Sequence, residues 1–178
     1  VYKRQALSIP NKEISVAYKQ FVNSQFEKGD LSSGITSFLS VFLENKKAEI
    51  LEQTLQNLTV SLVSFYDLAR LPEAVFHAFV LGLLANLRSI YDIRSNAESG
   101  LGRADILMIP KTAGYPIGYV IEFKSIYPDD DMEKSAQEAL TQIRERKYDA
   151  SVLSGGTEPD NIRYLAIVLQ GQNVMVKE

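Results

Sequence analysis

Ile117-Gly118-Tyr119-Val120-Ile121-Glu122-Phe123-Lys124-Ser125-Ile126 is the stretch on which the fold turns. β-Branched and aromatic residues fill it, and Pro116 and Pro128 bracket it, so it reads as a long strand. Upstream, Arg103 to Ile109 predicts another strand, with Pro110 to Pro116 as the turn between the two. Tyr91 to Ser95 predicts a shorter strand, followed by turn residues over Asn96 to Gly102. Downstream, Pro128 and the run Asp129-Asp130-Asp131 stop the central strand. The aspartates are expected to cap a helix over Met132 to Lys147 rather than to form a cation site. Ser154 to Asp160 reads as loop, and Ile162 to Leu169 and Val174 to Lys177 close as strands around the turn Gln170-Gly171-Gln172-Asn173.

Leu71-Pro72 opens this unit, because proline suits the first turn of a helix. Glu73 to about Ile90 is apolar on nearly all sides, which predicts a central, buried helix. The order from Pro72 is then α-β-β-β-α-β-β, and the expected fold class is α/β (α+β): a mixed central sheet flanked by helices.

Three helical patterns precede it. One runs from Asn11 to about Phe26 and a second from about Ser33 to Leu43, with Ile35, Phe38, Leu39 and Phe42 inward. The third runs from about Ala48 to Ala69, with a seam of Leu51, Leu55, Leu58, Leu62, Phe65 and Ala69. That stripe needs a partner helix, within the chain or across a homodimer. Residues 6–70 thus read as a helical linker region and 71–178 as the functional domain. Val1-Tyr2-Lys3-Arg4-Gln5 is what GTG-TAT-AAG-AGA-CAG encodes, a string that resembles a transposase end sequence used in preparing sequencing libraries. Residues 1–5 are therefore expected to be a non-native, adaptor-derived segment, and the native chain to extend upstream of Ala6.

Composition narrows the chemistry. The chain has 178 residues, 46% hydrophobic and 23% charged, an ordinary globular profile. It has no Cys, which removes disulfides, thiolate catalysis and Cys-based zinc sites. His77 is the one histidine, so a His-rich metal cluster is excluded. The net charge is −3, and it is uneven: residues 1–70 hold 8 basic against 7 acidic residues, whereas residues 71–178 hold 11 against 15. No global basic field advertises a nucleic-acid partner. No stretch resembles a membrane span or signal peptide, so a soluble, cytoplasmic protein with no membrane association is expected.

Within the central strand, side chains alternate, so Glu122 and Lys124 share a face with Val120 while Tyr119, Ile121 and Phe123 point into the core. If the strand carrying Asp105 pairs as a hairpin, Asp105 can sit across from Glu122. Two carboxylates that close repel each other unless a cation lies between them, and hard oxygen ligands suit Mg²⁺. Water on such a cation can attack a phosphodiester, and Lys124 can orient it or stabilise the developing charge. A Glu-x-Lys triplet alone carries nothing, since Glu44-Asn45-Lys46 and Glu145-Arg146-Lys147 also occur, at helix ends. The alternative for the middle triplet is a sheet with one solvated face. Gly100-Leu101-Gly102 is not a phosphate loop, because no helix N-terminus follows it.

The wider pattern is Glu98-Ser99-Gly100-Leu101-Gly102-Arg103-Ala104-Asp105, then Glu122-Phe123-Lys124, then Ala139-Leu140-Thr141-Gln142-Ile143. It resembles the PD-(D/E)XK nuclease superfamily, and most of all the bacterial branch whose nuclease-like domain follows an AAA-ATPase-like domain. Ile9-Pro10-Asn11-Lys12-Glu13-Ile14 is similar to the junction where that ATPase-like region ends. The resemblance covers about Ile9 to Tyr148 and implies a restriction-endonuclease-like core. It implies Asp105 and Glu122 as ligands of Mg²⁺ or Mn²⁺, Lys124 as the catalytic lysine, and Glu73 as an acid holding a water of the metal. Gln142 would orient Lys124 or substrate, and Arg103 would contact phosphate or brace the carboxylates. Ala104 departs from the motif, standing where a literal Pro-Asp has proline. His77, four residues after Glu73, is expected to be a packed core histidine or to stand behind the site, and Tyr148 likewise.

The expected function is metal-dependent hydrolysis of nucleic-acid phosphodiesters, DNA ahead of RNA, by part of a larger ATPase-linked protein. The competing expectation is a nuclease fold that only binds or regulates within such a protein. The excess of acidic residues in the sheet-bearing unit speaks for the second, and the complete Asp/Glu/Lys set for the first.

Overall fold

In the computed structural model, residues 30–62 and 73–178 are described. Helices α1 (Asp30–Leu43) and α2 (Ala48–Leu62) come first, then α3 (Glu73–Leu84) and a 3₁₀ turn at Ala85–Leu87. Strands β1 (Tyr91–Ser99), β2 (Gly102–Pro110) and β3 (Gly118–Ser125) follow. Helices α4 (Met132–Glu145) and α5 (Ala150–Ser154) lead to β4 (Ile162–Gln170) and β5 (Asn173–Lys177). The five strands form one sheet in chain order, antiparallel except for the parallel pair β3–β4, which α4 and α5 connect. A parallel pair needs such a crossover, and this one makes the sheet mixed, as expected.

Helices cover both faces. Phe38, Phe42, Leu51, Leu55 and Leu58 from α1 and α2, and Phe76, Val80 and Leu84 from α3, pack with Ile106, Tyr119, Ile121, Phe123 and Leu165. On the other face Ala136, Ala139, Leu140 and Ile143 of α4 and Val152 of α5 pack with Leu107, Val120, Ala166 and Val168. Fully burying each Leu, Ile or Phe contributes about 1.5–3 kcal/mol, so both layers hold the sheet rigid. The solvated-face alternative is thereby removed: β3 is buried on both faces from Gly118 to Phe123.

The seam of α2 is satisfied within the chain at Leu51, Leu55 and Leu58. The side chain of Leu62, and Phe65 and Ala69, lie outside the described residues, as does the helix read from Asn11. Helix α2 also closes an edge of the sheet. Glu52 Oε2 and Gln56 Oε1, one turn apart, accept the N–H groups of Val176 and Val174, each at 2.8 Å. An open β5 edge would otherwise template pairing with another chain.

Three details differ from the sequence reading. Helix α3 is half-buried rather than central: Phe76, Val80, Leu83 and Leu84 are inside, whereas Val75 is 50% exposed. Strand β1 runs through Asn96 to Ser99 instead of turning there, and the turn is only Gly100-Leu101. Asn96 adopts φ 49°, a left-handed value that asparagine tolerates within a kinked strand. Helix α4 ends at Glu145, and α5 was not foreseen. Asp131 is the N-cap of α4, accepting from the N–H groups of Glu133 and Lys134, as the aspartate run predicted. Among the described residues no helix is long and apolar enough to cross a membrane.

Candidate active site

The sheet loses its regularity at one place, and the candidate residues gather there. In the β1–β2 ladder, Ser95 pairs with Ile106 and Ala97 with Ala104, but the Asn96–Asp105 step between them is unpaired. Ala104 packs into the α4 layer, whereas Ile106, two residues on, packs into the opposite layer. Regular alternation would put both on one face, so β2 twists sharply at Asp105. The β2–β3 pairing stops at the same point, with Ile106 opposite Ile121 as its last pair.

Beyond that pair the strands part, and β3 N–H groups that β2 would have received are left. Alternate residues of a strand direct their N–H groups to the same edge, so those of Phe123 and Ser125 continue the edge used by Ile121. Acid side chains take them. Asp105 Oδ2 accepts from Phe123 N–H at 2.8 Å, and Glu73 Oε2 accepts from Ser125 N–H at 3.2 Å. Glu73 arrives from the first turn of α3, in the opposite helix layer. The two carboxylates are therefore fixed by backbone, about two residues apart along β3.

Glu122 lies on the α4 face and is 4% exposed. Its Oε1 accepts from Lys124 Nζ at 3.2 Å and from Gln142 Nε2 at 2.6 Å, while its Oε2 is buried with no partner. Burial pushes the Glu122 carboxyl up to about 7, the negative charges of Asp105 and Glu73 add to the rise, and Lys124 opposes it. Gln142 projects from the third turn of α4 and ties the set together. Its Oε1 accepts from Lys124 Nζ at 3.0 Å, and its Nε2 also donates to the Tyr148 hydroxyl at 3.2 Å. Two of the three ammonium donors of Lys124 are thus used, and its side chain keeps 32% exposure.

Asp105, Glu122, Lys124, Gln142 and Glu73 therefore come together. Tyr148 is a core residue at 3% exposure, and its hydroxyl accepts from Gln142 Nε2. His77 lies on the far side of β3, with Nε2 3.3 Å from Ser95 Oγ and its ring centroid 5.3 Å from that of Phe123. Arg103 stays apart from the carboxylates. The twist at Asp105 separates their faces, and Arg103, 70% exposed, pairs with Glu98 at 3.7 Å.

The donor set fits a hard divalent cation. Glu122 Oε2 lacks a hydrogen-bond partner, and burial, with the Asp105 and Glu73 charges added, holds Glu122 toward protonation against the pull of Lys124, a stress that a cation would relieve. Among the described residues no group of three or more His, Cys, Asp or Glu side chains is placed to hold a metal ion. The protein would therefore supply Asp105 and Glu122, with water or phosphate oxygens completing the shell, as Mg²⁺ usually permits.

Sequence reasoning missed two features. One is the use of Phe123 and Ser125 N–H groups to hold the acids, which depends on where the strands part and leaves no mark in residue type. The other is Arg146, which lines a shallow groove on α4 with Gln142 and Lys134. Its spacing of four from Gln142 was a signal available for it.

Residues 71–178 match the family model of the PD-(D/E)XK nuclease superfamily. That is more than half of the chain, and the chain belongs to this superfamily. No curated protein matches it.

Proposed function

We propose that this member of the PD-(D/E)XK nuclease superfamily hydrolyses nucleic-acid phosphodiester bonds, DNA ahead of RNA, with Mg²⁺ or Mn²⁺ held by Asp105 and Glu122. The observation that supports this most is the convergence of Asp105, Glu122 and Lys124 at the parting of β2 and β3, with Glu122 Oε2 left unpartnered.

Each residue has a task that follows from its placement. Asp105 and Glu122 bind the ion, and when bound it supplies Lewis-acid stabilisation of charge on the phosphoryl oxygens. Glu73, held by Ser125 N–H, keeps one oxygen to accept from a water at the mouth of the site. Lys124 directs its remaining N–H toward the attacking water or the charged phosphoryl group. Gln142 fixes the rotamers of both Lys124 and Glu122, so the ammonium is already in place when substrate arrives. The two-sided core under β3 prevents this constellation from loosening.

The wider setting belongs to the same proposal. Residues 71–178 act as the nuclease-like domain, downstream of an AAA-ATPase-like domain in a bacterial cytoplasmic protein, on the resemblance of Ile9 to Ile14 and of the motif stretches. The test is cleavage of DNA and RNA by the purified chain with Mg²⁺ or Mn²⁺. Lys124→Ala is expected to abolish cleavage and yet retain thermal stabilisation by Mg²⁺, whereas Asp105→Ala is expected to lose both. Absence of both cleavage and metal-dependent stabilisation in the parent would leave the binding-module reading.

A further inference from the structure

Tyr127 is out of keeping with the other aromatic residues among the described residues. It is 80% exposed, and the other described Phe and Tyr side chains are buried or half-buried. An aromatic ring left in water contributes nothing to the core, and this one is held there by a rigid loop. The Tyr127 N–H donates to Asp130 Oδ2 at 2.8 Å, and the Asp130 N–H donates back to the Tyr127 carbonyl at 3.0 Å. Gln170 Nε2, from the end of β4, lies within donating distance of the carbonyls of Tyr127, Pro128 and Asp130, at 2.9, 3.2 and 2.8 Å. Asp131 then locks the loop to α4 as its N-cap. The main chain under Tyr127 is thus fixed on three sides, and only the ring is free.

The loop stands next to the candidate site. Ser125, whose N–H holds Glu73, is two residues before Tyr127, and Lys124 is three before it. Three residues span at most ~11 Å of chain, the length of about three stacked nucleotide steps of ~3.4 Å. Asp129, Asp130 and Asp131 follow after Pro128, so a phosphate laid on this loop would be repelled. What the loop can offer a nucleic acid is the uncharged face of the tyrosine ring, and the matching surface is the face of a base. A base within a duplex is stacked on both sides and cannot present that face.

We propose that Tyr127 stacks on an unpaired base one to three nucleotides from the cleaved phosphate, so that the enzyme favours single strands or frayed ends there. This rests on the phosphodiesterase reading above. The test uses the full chain in a Lys124→Ala background, expected to bind without cleaving, with Mg²⁺ and a 12-nucleotide single-stranded DNA. 2-Aminopurine is placed at successive positions of the oligonucleotide. Replacing Tyr127 with Ala is expected to weaken single-strand binding roughly 5- to 150-fold, the range of one lost stacking contact. It is also expected to abolish the quenching of 2-aminopurine at one position and to leave the melting temperature unchanged. Tyr127→Phe and Tyr127→Trp are expected to retain both binding and quenching, and binding of a blunt, GC-ended duplex to change less than about twofold.

The inference is overturned if Tyr127→Ala binds the single strand as the background protein does. It is overturned equally if Tyr127→Leu matches Tyr127→Phe, which would mean an apolar contact without stacking, or if duplex binding weakens in parallel. Cleavage by the parent chain is unaffected by any of these results and keeps the two readings separable. A parent that neither cuts nor binds nucleic acid would remove both.

Discussion

Replacing Glu122 with Gln separates the electrostatics of the site from its catalysis. Burial first, and Asp105 next, push the Glu122 carboxyl from 4.5 to about 7. An acid whose folded pKa lies above its unfolded one binds more protons folded than unfolded, so stability falls as pH rises. The loss begins near the unfolded value of 4.5 and is complete above about 7. With those two values, the parent loses about 2.5 kcal/mol between roughly pH 5 and pH 8 in the presence of a chelator. For a chain of this size that is a fall of roughly 5–10 °C in the melting temperature. Glu122→Gln cannot ionise, and it keeps Oε1, the acceptor used by Lys124 and Gln142. Whatever the new amide costs by itself is present at both pH values and cancels in the comparison.

The assay is calorimetric melting of both proteins in EDTA at the two pH values. The gap between variant and parent should widen in the variant's favour by roughly 5–10 °C on going to the higher pH. Adding Mg²⁺ at the higher pH should recover the parent and leave the variant unmoved, because the cation favours the ionised carboxylate. A gap that stays constant within about 2 °C would refute the reasoning, since Glu122 would then be ionised in the fold at no cost.

Three further outcomes follow from the geometry. Gly100 has φ 60°, and a Cβ on it would collide with the Arg146 and Lys147 carbonyl oxygens, so Gly100→Ala should cost about 3 kcal/mol or more by chemical denaturation. Asp131→Ala removes the acceptor for Glu133 and Lys134 N–H and should cost about 1 kcal/mol, measured the same way. Arg103→Ala should change stability by less than about 0.5 kcal/mol, because its pair with Glu98 is exposed. If Arg103 contacts phosphate, the same variant should weaken DNA binding evenly across sequences and reduce the salt slope by about 1.

What could be read from the sequence follows from which features are local. The run from Ile117 to Ile126 showed both its strand character and the shared face of Glu122 and Lys124, because period-two alternation is written in residue order. The cap at Asp131 was readable for the same reason. Helix α5, five residues long, is too short to show a period. Asn96 misled because asparagine favours turns and left-handed backbone alike, and here the left-handed residue sits inside a strand. The apolar run after Glu73 predicted burial on all sides, but Ala74, Val75 and Ala78 face outward among the described residues. Composition alone does not say how much of a helix its neighbours cover.

The site itself follows from a fault in the sheet. Had β2 continued alongside β3 past Ile106 and Ile121, backbone carbonyls would have taken the Phe123 and Ser125 N–H groups. The kink at Asn96 and Asp105 withdraws β2, and the orphaned Phe123 donor must be met, because an unpaired buried N–H costs about 1–3 kcal/mol, whereas the Ser125 donor lies at an exposed position. Asp105 and Glu73 meet them, and this sets two negative charges beside a third acid, Glu122, already buried under α4. Burial is the main cause that raises Glu122, and the hydrogen bonding that stabilises the edge thus adds repulsion to it. Lys124 relieves part of it, and Glu122 Oε2 remains without a partner. The fold has therefore gathered three acids around one lysine at this edge, and that imbalance is the electrostatic ground on which the cation is proposed.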